Sequence, residues 1–250
     1  DDGGVWQSTG VNSSKGNVAI EIVHEGRNNG QQMYSWYGDW DEAAPDGNQF
    51  AELNCEAAGA LYQDVLTMEG TSLTYQLQHR ARGGRLSWDP EYDTMYLVIM
   101  PTSLAIDEKL TTQEQLQRYL KNYCRTDITT KYFKTDNQIT YEDKANGILV
   151  VRVTSDDQSW QTVLKANGYT PTSSLTRFFF VAGDTASGSN TVGNFLDDVW
   201  FSQKLPDVAD DEFSIEIKKE FEGLDGTRLD EVQRKLQFEI SAVNSAGKSL

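Results

Sequence analysis

The stretch 46–80, DGNQFAELNCEAAGALYQDVLTMEGTSLTYQLQHR, decides the fold class. In its last eight residues Leu73, Tyr75, Leu77 and His79 alternate with Thr74, Gln76, Gln78 and Arg80. That period of two is what a strand with one apolar and one polar face requires. In 49–55, Phe50, Glu52 and Asn54 take one face and Ala51, Leu53 and Cys55 the other. A third run, 60–66, is set off from 73–80 by a turn at Glu69 and Gly70. Such runs predict an antiparallel sheet with one face on a core and the other presenting amides, acids and an arginine to water.

Working outward, strands are expected at 18–23, 94–100, 147–154, 176–182 and 195–202. Between the first of these and 49–55 lies a loop, 25–48, dense in Gly, Asn, Asp and aromatics; loops this long are often binding elements. The pattern changes at 111–124, where Thr111 or Thr112 can cap a helix carrying Leu116, Tyr119, Leu120 and Tyr123 at helical spacing. The fold class expected is all-β: an antiparallel jelly-roll β-sandwich, residues 1–204, with one inserted helix. After an acidic linker, 205–212, a short β-rich unit, 213–250, is expected.

The runs GNQFAELN, GALYQDVLTMEGTSLTYQLQHRAR, DTMYLVIMP, TRFFFVAGDTASG and GNFLDDVWFS resemble the galactose-binding-type jelly roll of bacterial surface proteins, a relative of many carbohydrate-binding modules. The likeness spans roughly residues 5–202 and contains no catalytic signature. It implies a secreted or Gram-positive cell-surface setting and a core position for Trp6. It also implies a structural calcium at the acidic pair Asp197 and Asp198, to which Asp46 would contribute, since carboxylate oxygens suit that ion. The segments FSIEIKKEFEGLDG and LQFEISA are similar to the opening strands of Ig-like pilin and stalk domains. In that family Lys218 or Lys219 matches a lysine that forms an isopeptide bond, but the asparagine strand is missing and no crosslink is expected.

A net charge of −16, from 38 acidic and 22 basic residues, disfavours nucleic acid and anionic lipid, which need clustered cations. No apolar run is long enough to span a membrane. Cys55 and Cys124 leave two readings open, a single bridge or free thiols. Histidine is limited to His24 and His79, in no metal or protease motif, and His79 reads as a core residue on the apolar strand face. The loop 183–189 has no helix after it to cradle phosphate. The chain is therefore expected to bind rather than catalyse.

Two groups of residues carry that expectation. Trp36, Tyr37 and Trp40, in YSWYGDW, offer flat rings that stack on sugars or anchor a protein. Glu52, Asn54, Gln76, Gln78 and Arg80 offer donors and acceptors at fixed strand spacing, suited to a hydroxyl-rich ligand. Trp200 is expected to pack in the core. The leading ligand is a glycan, the second a host glycoprotein gripped by an adhesin, and the third reading is a spacer with no ligand.

Overall fold

The computed structural model describes residues 6–9, 11–12, 17–18, 20–24, 44–82, 92–125, 136–156, 159–185 and 192–204. The chain divides into two compact units, Asp1–Pro206 and Asp207–Leu250, and the described residues lie in the first. The expected linker, the β-rich C-terminal unit, Lys218 and Lys219 lie outside them.

Among the described residues, thirteen strands and two helices follow in chain order. They are β1 (Gln7–Ser8), β2 (Val11–Asn12), β3 (Asn17–Val18), β4 (Glu21–His24), β5 (Gln49–Glu52), β6 (Ala60–Leu66), β7 (Leu73–Arg80) and β8 (Tyr92–Pro101). Then come α1 (Thr102–Asp107), α2 (Gln113–Asn122), β9 (Asp136–Asp143), β10 (Ile148–Asp156), β11 (Gln161–Tyr169), β12 (Leu175–Ala182) and β13 (Phe195–Gln203). Two antiparallel sheets result, a six-stranded one in the order β1-β6-β12-β8-β10-β9 and a five-stranded one in the order β11-β7-β13-β5-β4; β2 and β3 pair with each other. This is the expected all-β sandwich.

The expected runs 60–66 and 73–80 are strands at those bounds, and 147–154, 176–182 and 195–202 are strands within two residues. The expected run 18–23 divides between β3, paired with β2, and β4, paired with β5, and other departures follow. The run 49–55 stops at Glu52, because a turn begins at Leu53 whose carbonyl accepts Gly59 N–H at 3.0 Å. The edge strands β9 (DNQITYED) and β11 (QTVLKANGY) were not expected from sequence; both are solvated and carry little apolar alternation. The helix expected at 111–124 is α2, held by a Thr112–Gln115 capping box. The short α1 before it was not expected.

Alternation sorts the side chains into three clusters. Between the sheets lie Leu73, Tyr75 and Leu77 of β7, Met95, Leu97 and Ile99 of β8, Leu149, Val151 and Val153 of β10, and Phe178 and Phe180 of β12. Phe201 stacks on Phe178 with ring centroids 3.7 Å apart. Each such side chain contributes about 2 to 3 kcal/mol by leaving water. The reverse face of the six-stranded sheet, with Tyr96, Val98, Val150 and Phe179, is covered by Leu116, Tyr119 and Leu120 of α2. The third cluster, Val23, Ala44, Phe50 and Phe195 with Trp160 against it, lies on the outer face of the five-stranded sheet. Among the described residues it covers one end of that face only.

Candidate functional site

The open part of that face is built by register. In β7, Tyr75, Leu77 and His79 point inward, so Thr74, Gln76 and Gln78 point out. Residues directly opposite in an antiparallel pair share a face. Thr162 and Leu164 of β11 therefore join Gln78 and Gln76 on one side, and Asp197, Trp200 and Ser202 of β13 join Gln78, Gln76 and Thr74 on the other. The result is a strip three strands wide, crossed by the row Leu164–Gln76–Trp200. Leu164 is 54% exposed and Trp200 37%.

Trp200 is thus not a core residue, and the reason lies in β13. The register shifts between Asp197 and Trp200, and Asp198 adopts a left-handed backbone with φ 44°. This bulge inserts one residue and resets the alternation. Leu196, Val199 and Phe201 pack inward, while Asp197 and Trp200 both turn outward. Asp198 accepts a hydrogen bond at Oδ2 from Gln76 Nε2, at 2.6 Å. Gln78 Oε1 accepts from the Thr162 hydroxyl at 3.1 Å, and Asp197 Oδ2 accepts from the backbone N–H of Asp46 at 3.0 Å.

A cleft of about 300 Å³ lies beside the bulge and shares Asp197 with the strip. Asp46, Gln49, Asp197 and Asp198 form its polar wall, and Trp6, Ile22, Leu61 and Val199 its apolar one. Trp6 is 41% exposed, its ring 5.8 Å from that of Phe180, so the expected core position is corrected to a cleft wall resting on the core. A second cleft, of about 490 Å³, lies between the turns at Gly70, Lys144 and Thr170. It is larger but offers no stacking surface: its one ring, Tyr169, is buried and donates its hydroxyl to Gly147 O at 2.8 Å.

The residues expected to form one polar face separate into two settings. Gln76 and Gln78 are half-exposed on the strip. Glu52, Asn54 and Arg80 are buried. Glu52, 1% exposed, accepts from Arg82 Nη1 at 2.6 Å and from Gly193 N–H at 3.1 Å. Burial pushes its carboxyl from 4.5 up to about 7 even with that guanidinium beside it. Asn54, past the end of β5, accepts at Oδ1 from Asn194 Nδ2 at 2.8 Å. Arg80 sits opposite Phe195, at the end that the third cluster covers. Trp36, Tyr37 and Trp40 lie outside the described residues.

His79 is fully buried. Its Nε2 lies 2.8 Å from Asn194 Oδ1, an acceptor, so Nε2 carries the proton and Nδ1 accepts from Ser155 at 2.7 Å. Desolvation lowers its pKa from 6.5 to about 4, which keeps the ring neutral. Cys55 and Cys124 are free thiols in separate places: Cys55 lies 3.3 Å from Glu21 Oε2, and Cys124 belongs to the cluster under α2. Burial pushes both thiols up to about 12, far from a nucleophilic thiolate at neutral pH.

Asp46, Asp197 and Asp198 line one cleft, and N–H donors face Asp197 and Asp198. Among the described residues no group of three or more His, Cys, Asp or Glu side chains is arranged to hold a metal. The described oxygens therefore do not by themselves fit calcium.

No protein-family model matches the chain, and no curated protein matches it. Among solved structures it is similar to TmCBM61 in complex with β-1,4-galactotriose, with TM-score 0.40 and 11% identity over 80% of this chain and 88% of that one. It is also similar to the xylan-binding domain from CBM 22, with TM-score 0.38 and 10% identity over 81% and 90% of the two chains. A CBM4 structure gives TM-score 0.32 and 16% identity over 79% and 95%.

Proposed function

We propose that the first unit is a non-catalytic carbohydrate-binding module of an extracellular protein, and that it holds its glycan on the strip and cleft around the β13 bulge. The observation that carries this reading is the pairing of Trp200 with Gln76. A half-exposed indole lies directly opposite an amide whose orientation is fixed by Asp198, so a ring-stacking surface and a hydroxyl-reading group stand side by side. Pyranose rings present C–H faces that stack on aromatics, and hydroxyls that exchange hydrogen bonds with amides and carboxylates. Trp6 supplies a second apolar surface beyond the aspartates. Adhesion to glycan-bearing surfaces is the use we assign to it, as the sequence resemblance implies.

The test is retention of the protein on a panel of immobilised polysaccharides, repeated with Trp200→Ala and Trp6→Ala. The wild type is retained on at least one polymer. Trp200→Ala loses about tenfold or more in affinity, the scale of a stacking contact in a ligand site. Retention that survives both substitutions would remove the site, and silence across the panel would remove the function.

A further inference from the structure

The bulge that exposes Trp200 also gathers charge of one sign. Asp46, Asp197 and Asp198 all line the cleft, and its described lining residues, from Trp6 to Val199, include no Lys, Arg or His. On the strip itself the outward residues of β7, β11 and β13 are Thr, Gln, Leu, Asp, Trp and Ser. The cation in the same outward register, Arg80, is buried at the covered end. Lys165 of β11 stands in the alternate register, opposite Tyr75, and is exposed at the sheet edge. Lys204, just past β13, is exposed as well; neither lines the cleft. Across the whole chain the charge is −16, so the long-range field has the same sign as the local one. Asp197 is partly buried, and that desolvation limits how well water screens it.

From this charge arrangement around the β13 bulge we infer that the site takes uncharged, hydroxyl-rich glycans and rejects chains bearing carboxylate or sulfate groups. The inference rests on the carbohydrate reading above. Asp46 and Gln76 turn N–H donors toward two of the carboxylate oxygens. Those neutral donors orient the aspartates without cancelling their charge, so the oxygens remain available to ligand hydroxyls. A hydroxyl donates to such an oxygen; a uronate or sulfate oxygen in its place brings a second negative charge with no donor between them. Discrimination thus comes from repulsion at the rim, while stacking on Trp200 is indifferent to the substituent.

Matched polymers test it: hydroxyethyl cellulose against carboxymethyl cellulose, and a neutral galactan against its carboxymethylated derivative, by affinity electrophoresis in the presence of a chelator so that no divalent ion bridges the two anions. The neutral member of a bound pair is held about tenfold more tightly at about 0.1 M salt. That ratio shrinks at about 1 M salt, where the screening length falls to about 3 Å. Asp197→Asn shrinks it as well. Equal or tighter binding of the carboxylated member overturns the inference and leaves the carbohydrate reading standing. A preference that neither salt nor Asp197→Asn alters also overturns it, because bulk rather than charge would then be excluded. Binding of neither pair, nor of any polymer in the panel, overturns both readings together.

Discussion

Gln76 Nε2 donates to Asp198 Oδ2 at 2.6 Å, and the acceptor is the very residue whose left-handed backbone makes the bulge in β13. One bond thus ties the orientation of the site's amide to the irregularity that turns Trp200 outward. Gln76→Leu keeps the side-chain volume and removes the donor. Glycan affinity is expected to fall about tenfold, with a loss of stability below about 1 kcal/mol, because Gln76 is half-exposed and its carboxylate partner borders an open cleft. Affinity electrophoresis and a urea midpoint check the two parts. Unchanged glycan affinity in Gln76→Leu would show that this amide does not read the ligand.

Two buried groups, His79 and Glu52, push the pH dependence of stability in opposite senses. His79, at about 4 in the fold against 6.5 unfolded, takes up its proton in the unfolded chain first. Its contribution is complete above about pH 6.5 and is lost as pH falls toward 4, on the order of 3 kcal/mol in all. Glu52, at about 7 against 4.5, keeps its proton longer in the fold, so its effect costs stability as pH rises from 4.5 to 7. Between about pH 4.5 and 6.5 the two slopes offset each other, and the urea midpoint is expected to be nearly flat there for the wild type. His79→Asn should make stability fall with rising pH across this window. Glu52→Gln should make it rise. A variant with the wild-type profile would show that its group is not titrating as the burial argues.

How much of this was legible in the sequence depends on where each residue sits. β7 faces a core on one side and water on the other, so its alternation is unbroken and its bounds read correctly; β6 is apolar toward both layers at its start, and the turn at Glu69 and Gly70 sets it off from β7. The edge strands β9 and β11 are solvated on most of their surface, and little hydrophobic signal marks them. Of the expected polar face, Gln76 and Gln78 were readable because they belong to β7. Glu52 and Asn54 are buried for separate reasons: Glu52 ends β5 on the expected face but is covered there by Arg82 and the Gly193 backbone, whereas Asn54 lies in the turn that begins at Leu53 and bonds Asn194. Trp200 was missed for want of one inserted residue. Strict alternation from Phe195 puts Trp200 on the face of Leu196, whereas two consecutive aspartates in FLDDVWF are a sign of the bulge that reverses it.

Gly193 precedes β13 with φ 136°, a conformation that side-chain-bearing residues avoid. A Cβ there would lie 2.6 Å from both Asp93 Oδ2 and Thr185 Cγ2. Gly193→Ala is expected to destabilise the unit by about 2 kcal/mol or more, since it adds backbone strain to a clash with a buried carboxylate. Gly70, at φ 76° in the β6–β7 turn, meets nothing at its Cβ position. Gly70→Ala should therefore cost only the strain, about 1 kcal/mol. Urea denaturation of the two variants side by side checks the order; equal losses would mean the contact at Gly193 relaxes freely.

Arg177 of β12 is buried beside Asp64 of β6, with Nε 2.6 Å from Oδ1 and Nη2 2.8 Å from Oδ2. Its guanidinium carbon lies 4.6 Å from the Tyr62 ring centroid and 5.6 Å from that of Phe179. The planar fork satisfies both carboxylate oxygens while its face lies on two rings, a combination that an ammonium cannot reproduce. Arg177→Lys keeps the charge and is still expected to lose about 1 to 2 kcal/mol, because one carboxylate oxygen loses its donor and the ring contact goes. Double-mutant analysis with Asp64→Asn separates the fork from the stacking. If Arg177→Lys matches the wild-type urea midpoint, charge alone holds β6 to β12 at this point and the fork is incidental.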